Sequence, residues 1–289
     1  MPIRRTRTLA RCLALCCGLG LLAAASVLAA PAIHAHRGGA LVGGKPTYPE
    51  NTMPAFHHAA EEGFVLELDV KLTEDRVPVV IHDATLDRVT PCTGEVVERT
   101  LKQLSRCKAD VLGAEDDLRQ LPRGDRRRVP IPTLSQVLGL IRRTGAEANI
   151  EIKNIPTDPD YDSTPAFART VVDAIRRSGV KRHKIIVQSF WPPNLDVAQQ
   201  RLPGAETSFL TLSSANEAGM SIADSNGYDW TSPQWPVSAD YVARAHSNGL
   251  KVVPFTLDAA ADIRAAAGAG VDALITNEPL RARRVLGRP

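Results

Sequence analysis

Two histidines, three carboxylates and two cations stand where they could act together. His36 and His82 each close a short apolar run, residues 33–36 and 77–82, and each is followed by a charged residue, Arg37 and Asp83. Between them Glu67 and Asp69 are spaced i, i+2 inside Phe64-Val65-Leu66-Glu67-Leu68-Asp69-Val70. That heptapeptide reads as a strand with apolar residues on both faces. The spacing puts both carboxylates on one face. Two acids in such surroundings repel each other and lose hydration, and a cation shared between them is the simplest remedy. Glu151 and Lys153 repeat the spacing within Asn149-Ile150-Glu151-Ile152-Lys153, adding a third carboxylate and a cation. An all-carboxylate oxygen site suits one hard divalent ion, Ca²⁺ or Mg²⁺, and argues against zinc. Imidazole, with an unperturbed pKa of about 6.5, can give or take a proton near neutrality. Arg37 offers a planar fork to a phosphate, with Lys153 as a second cation for it.

These residues fall in motifs. His36-Arg37-Gly38-Gly39, Pro49-Glu50-Asn51-Thr52, ELDV-x-LT-x-D from Glu67 to Asp75 and VPVV-x-HD from Val77 to Asp83 occur in this order. The set resembles the glycerophosphodiester phosphodiesterases. IPTL at residues 131–134, NIEIK at 149–153, VQSF at 187–190 and LIT at 274–276 extend the likeness over nearly the whole chain after its first thirty residues. The resemblance implies that Glu67, Asp69 and Glu151 are metal ligands and that His36 and His82 are the acid–base pair. One histidine deprotonates the nucleophile and the other protonates the leaving alkoxide. Asp83 is placed to orient His82, and Glu50 and Asn51 to brace the site, though helix capping explains Asn51 equally well. Gly38 and Gly39 would let backbone come close to a ligand. His34 shares the face of His36 and is expected in a lower layer; His57 and His58 are expected at the surface.

To bring these groups together the chain must place strand ends around one mouth. Strand-like runs at residues 33–36, 64–70, 77–82, 149–153, 184–190, 207–212, 228–231, 251–256 and 272–276 alternate with helical patterns at 52–63, 133–145, 164–179, 193–201, 238–249 and 259–270. Such alternation argues a parallel sheet with helices outside. The length suits a single-domain α/β (β/α)₈ barrel, typically ~250 residues, whose catalytic face lies at the C-terminal strand ends. Nine strand candidates are one too many. The break falls at residues 73–76, too short a link for a crossover helix. Residues 84–129 read as a long polar excursion.

Residues 1–29 look like a secretory signal. Arg4, Arg5, Arg7 and Arg11 precede an apolar stretch that ends in alanines. Arg4-Arg5 hints at twin-arginine export. The domain is then 30–289, and the protein is exported, periplasmic or secreted. The whole chain has 35 basic and 32 acidic residues; without the leader's four arginines the balance is 31 to 32, a net charge of −1. That excludes a broad nucleic-acid surface, and the run RGDRRR at 123–128 is a solvated loop. Cys12, Cys16 and Cys17 leave with the leader, so Cys92 and Cys107 are expected to form one disulfide. No membrane contact is expected beyond the leader, and the sequence sets no oligomeric state.

Two places depart from the family's pattern. The penultimate strand reads Phe255-Thr256-Leu257-Asp258 instead of Trp-Thr-Val-Asn, and Asn277 stands where an aspartate is usual. Neither is expected to touch the metal or acid–base residues. The polar stretch at 154–164 is a candidate lid or selectivity element. The expected substrate is a small glycerophosphodiester, split to sn-glycerol 3-phosphate and an alcohol. The alternatives are a related barrel phospholipase, of the sphingomyelinase D or phosphatidylinositol phospholipase C type, with Trp191, Trp230 and Trp235 as rim residues, or a catalytically silent phosphodiester-binding protein.

Overall fold

The computed structural model of the chain describes residues 30–110, 128–212 and 216–288. The expected leader at 1–29 and all but the last residue of the run at 123–128 lie outside the described residues. Eight parallel strands form the central sheet: β1 (Ala32–Ala35), β2 (Val65–Leu72), β4 (Ala148–Ile152), β5 (Ile185–Ser189), β6 (Glu206–Thr211), β7 (Trp230–Pro233), β8 (Lys251–Val252) and β9 (Ala273–Thr276). Their order is β8-β7-β6-β5-β4-β2-β1-β9. Across the remaining seam Asp272 N–H donates to Val252 O at 3.0 Å and Ile275 N–H to Pro254 O at 2.9 Å. The sheet is therefore a nearly closed barrel. The ninth strand candidate is β3 (Pro78–Val80), which turns back antiparallel on β2 with Val70 opposite Val80. It is a flap on the barrel, and His82 lies just beyond it.

A helix follows each barrel strand: α1 (Met53–Glu61), α2 (Leu134–Thr144), α3 (Ala166–Arg177), α4 (Pro192–Arg201), α5 (Asn216–Ser225), α6 (Ala239–Ser247), α7 (Ala260–Ala269) and α8 (Pro279–Val285). The sequence reading missed α5 and α8. In α5 the mid-helix Gly219 looks like a breaker. A Cβ there would sit 2.1 Å from Thr211 Cγ2, so glycine is what lets this helix lie against β6. The start of α2 shows the local logic well. Thr133 Oγ1 accepts from Gln136 N–H, and Gln136 Oε1 accepts from Thr133 N–H, a reciprocal cap. Gly145, with φ of 72°, ends the helix. Its Leu134, Val137, Leu138 and Ile141 are buried in the main core. Each such side chain contributes about 1.5–3 kcal/mol by leaving water.

The described residues of the long excursion, 84–110 and 128–129, carry an apolar cluster of their own around Leu86, Val89, Val96 and Leu104. The Cys92–Cys107 disulfide staples it. Among the described residues no helix is long and apolar enough to cross a membrane. Trp230 is not a rim residue: it is buried among the strands and donates its indole N–H to Glu206 Oε2 at 2.6 Å. Trp191 is half-buried edge-on to Tyr161.

Candidate active site

Strand register assembles the carboxylates. Asp69 on β2 is paired with Glu151 on β4, and Glu151 with Gln188 on β5. Oxygens of Glu67, Asp69 and Glu151 lie within 4.8 Å of one another, and all three residues are buried. Glu67 Oε2 accepts from the Arg37 backbone N–H at 2.8 Å, and Oε1 from Gln188 Nε2 at 2.7 Å. Asp69 Oδ2 accepts from Asn51 Nδ2 at 2.8 Å. Asp69 Oδ1 and Glu151 Oε1 have no hydrogen bond, although Lys153 Nζ lies 3.8 and 3.1 Å from them as an ion pair. Burial raises Glu67 well above the ordinary carboxylate range, and Asp69 and Glu151 raise it further. Burial also raises Glu151, against the pull of Lys153. For Asp69, burial is outweighed by His82, Lys153 and Arg37, which hold its carboxyl low. The protein's own cations therefore do not neutralise three charged carboxylates at once. Hard oxygen donors with buried, unbonded lone pairs fit a divalent cation.

The turn after β1 points Arg37 inward. Arg37 takes φ of 52°, uncommon for a side chain of its size. Its guanidinium lies 3.1 Å from Glu50 Oε1 and 3.5 Å from Asp69 Oδ2. Gly38 and Gly39 are required by packing: their missing Cβ atoms would meet Ala55 and Pro279 at 2.7 and 2.6 Å. Asn51, at φ of 56°, makes no helix cap; its side chain braces Asp69.

Both histidines are held at Nδ1, and His82 is held at Nε2 as well. His82 Nδ1 lies 2.6 Å from Asp83 Oδ1, and Lys153 Nζ donates to its Nε2 at 2.9 Å. An ammonium can only donate, so Nδ1 carries the proton and bonds the carboxylate. His36 Nδ1 lies 2.7 Å from Asn277 Oδ1, so the expectation that Asn277 stays clear of the acid–base residues is wrong. Asn277 in turn is held by Asp258, the other departure. The signal missed was the position of Asn277 directly after β9, the strand paired with β1. Burial, with Arg37 adding to it, pushes the His36 imidazole down to about 3. His34 is buried one layer below, against Asn149 Nδ2 at 3.3 Å and edge-on to Trp230. His57 is exposed, and His58 stacks at 5.0 Å on Tyr48.

The sequence reading also missed Arg88. It donates Nε to Asp83 Oδ2 at 2.6 Å and its two terminal nitrogens to Glu50 at 2.7 and 2.9 Å. Arg88 thus joins the carboxylate behind His82 to the one behind Arg37. The loop at 154–164 is pinned: buried Lys71 donates to Asp158 and Asp160, both at 2.7 Å.

His36, Arg37, Glu67, His82, Glu151 and Lys153 line one cavity of about 330 Å³. Phe190, Phe255, Leu210 and Ile275 add apolar surface to the same cavity, with Phe190 and Phe255 edge-to-face at 5.9 Å. Residues 36–281 match the profile of the glycerophosphoryl diester phosphodiesterase family. The chain belongs to that family. A glycerophosphodiester phosphodiesterase of Bacillus altitudinis is 31% identical over 257 residues, 88% of this chain and 97% of the relative. One from Caldanaerobacter subterraneus is 30% identical over 246 residues, 85% of this chain and 93% of the relative. Among solved structures, a candidate glycerophosphoryl diester phosphodiesterase of Silicibacter pomeroyi superposes with a TM-score of 0.75 at 26% identity, covering 89% of this chain and 93% of that one. An Oleispira antarctica phosphodiesterase, solved with the product sn-glycerol-3-phosphate, gives 0.70 at 21% identity, covering 89% and 97%. Membership makes the chain an enzyme, a phosphoric diester hydrolase. Its cavity joins acids able to hold a cation, two cations able to hold a phosphate, and two imidazoles.

Proposed function

We propose that this enzyme hydrolyses glycerophosphodiesters to sn-glycerol 3-phosphate and a free alcohol, using His36 and His82 as its acid–base pair. The observation that carries the reading is the convergence of both imidazoles, Glu67, Glu151, Arg37 and Lys153 on one cavity. Glu67, Asp69 and Glu151 would hold one divalent cation, Ca²⁺ or Mg²⁺, which when bound offsets phosphate charge as a Lewis acid. Arg37 and Lys153 add fixed positive charge for the phosphate oxygens. The apolar surface of Phe190 and Phe255 accepts the carbon skeleton of the substrate.

The partners of the histidines divide their roles. His82 bonds a carboxylate, Asp83, through Nδ1, a counter-charge in place for a ring that carries two protons. It is the ring placed to act as the acid: once Lys153 has turned to the substrate and Nε2 has taken a proton from solvent, it passes that proton to the leaving alkoxide. His36 carries a neutral amide on Nδ1 and is buried, so it stays neutral with a free lone pair. It is the ring available in unprotonated form to take the proton of the nucleophile. The substrate is a small soluble molecule. The basic, apolar leader and the stapled cysteines support an exported enzyme, periplasmic or secreted, with a mature chain from about residue 30.

Turnover tests the reading. Purified enzyme with Ca²⁺ or Mg²⁺ is given glycerophosphocholine in one arm and vesicles of phosphatidylcholine and sphingomyelin in the other. Release of sn-glycerol 3-phosphate from the first, with the vesicles left intact, is expected. Cleavage of the vesicle lipids alone would make the enzyme a lipase, and binding without release would make it a silent binder. His36→Ala and His82→Ala should each lower kcat by ~10²–10⁴.

A further inference from the structure

Asp258 stands one residue removed from His36, yet both its oxygens serve the segment that touches it. Oδ1 accepts from the Asn277 backbone N–H at 2.8 Å and from Thr276 Oγ1 at 3.0 Å. Oδ2 accepts from Asn277 Nδ2 at 2.8 Å. A carboxylate can only accept, so the Asn277 amide must turn its NH₂ toward Asp258 and its oxygen toward His36. That oxygen lies 2.7 Å from His36 Nδ1. An amide oxygen can only accept too, so the ring proton sits on Nδ1 and the lone pair on Nε2. The other amide orientation would offer NH₂ to Nδ1 and drive the ring proton to Nε2. A ring of that tautomer has no lone pair for a proton taken at Nε2.

We propose that Asp258 and Asn277 form a positioning relay that holds His36 in the tautomer with a free Nε2. The proposal rests on the reading of His36 as the general base. The relay crosses the barrel seam, since Asp258 follows β8 and Asn277 follows β9. It is anchored by Arg281, which donates to the Asp258 carbonyl at 2.9 Å and so fixes the backbone from which the carboxylate is aimed. It also differs in kind from the support of His82, where a carboxylate bonds the ring directly. A neutral amide selects the tautomer without adding a full negative charge beside the ring. Neither relay residue needs to meet the substrate, so their effect belongs to kcat and not to binding.

The test reads the ring itself. The intact enzyme is labelled with ¹⁵N-histidine, and the His36 signals are identified by their loss in His36→Gln. The native enzyme should show a protonated Nδ1 and an unprotonated Nε2. Asp258→Asn frees the Asn277 amide, so the two His36 signals should move toward each other. Its kcat should fall about 10- to 100-fold, as for other outer supports of a working histidine, with KM little changed. The exchange Asp258→Asn with Asn277→Asp keeps one carboxylate and one amide in contact and puts a pure acceptor on Nδ1. It should restore the protonated Nδ1 and most of the lost kcat, which a merely structural pair would not do. Unchanged His36 signals in Asp258→Asn, or an exchange variant that regains neither tautomer nor rate, overturns the relay. Full kcat in His36→Gln would instead remove the reading of His36 as the base, so the two failures are told apart.

Discussion

Replacing Arg88 by methionine should weaken the fold and the reaction together. The guanidinium makes three charge-assisted bonds, at 2.6, 2.7 and 2.9 Å, to Asp83 and Glu50. Its side chain is 26% exposed, while Glu50 is 6% exposed and Asp83 25%. Stripping the cation from a fully buried pair costs about 3–5 kcal/mol. Partial solvent access and the remaining Arg37–Glu50 contact put the loss at the lower end, ~3 kcal/mol. For a domain of this size that is a fall in Tm of ~6–12 °C. Asp83 loses the partner that aims it at His82, so kcat should drop about 10- to 100-fold. The effect has a pH signature. Burial opposes the Asp83 charge, but the bonds from His82 and Arg88 outweigh it and depress the folded pKa. A depressed carboxylate stabilises above its unfolded value of about 3.9, and that stability is lost as pH falls through the range below. Arg88 stays charged throughout. Thermal unfolding of native and Arg88→Met enzyme at about pH 7 and about pH 3.5 should therefore show a gap that narrows in acid. A gap of under ~2 °C at neutral pH, or one equal at both pH values, would refute the reasoning.

Chelation should abolish turnover and lower Tm, because three buried carboxylates lose their shared counterion, and Ca²⁺ or Mg²⁺ should restore both; full activity in verified metal-free enzyme would contradict this. Cys92 and Cys107 are 15 residues apart, so Cys92→Ser with Cys107→Ser should cost about 3 kcal/mol in thermal unfolding. Kinetics near the lowered Tm should suffer first, because the stapled excursion carries Arg88. Gly219→Ala places a methyl 2.1 Å from Thr211 Cγ2 and should cost about 1–3 kcal/mol. Adding Thr211→Ser, which deletes that carbon, should recover part of the loss, and no recovery would show that the clash with Thr211 Cγ2 is not the cause.

The barrel was legible because its strands carry their period on the surface of the sequence. The run around Glu67 and Asp69 states strand, burial and shared face at once, and so does the run around Glu151. Partners fixed only by register were not legible. Gln188 reaches Glu67 from 121 positions away because β4 lies between β2 and β5 and aligns Glu151 with Gln188. Asn277 reaches His36 across 241 positions because the barrel nearly closes. The sequence order of two strands says nothing of which others will flank them. Helix α5 failed for a different reason: its glycine is demanded by a neighbour on β6, and a neighbour is not a local property. Trp230 was misplaced on the rim because an aromatic residue gives no sign of which barrel end it plugs.

Charge balance ties the separate pieces of the site into one requirement. Bonds and ion pairs link Glu50, Asp83, Glu67, Asp69 and Glu151 with Arg37, Arg88 and Lys153. Five carboxylates face three fixed cations, a deficit of two positive charges. One divalent cation cancels that deficit; a monovalent one leaves the cluster short by one, and a further fixed cation would leave less for the ion to do. The raised Glu67 and Glu151 are the protein's way of meeting the same deficit with protons. Cation and protons therefore compete for these oxygens, and affinity for the cation should weaken as pH falls. Calorimetric titration of the enzyme with Ca²⁺ or Mg²⁺ in buffers of different ionisation heat would count the protons released. Release that grows as pH is lowered is expected, and binding with no proton release at any pH would show that the carboxylates are already charged and balanced by another group.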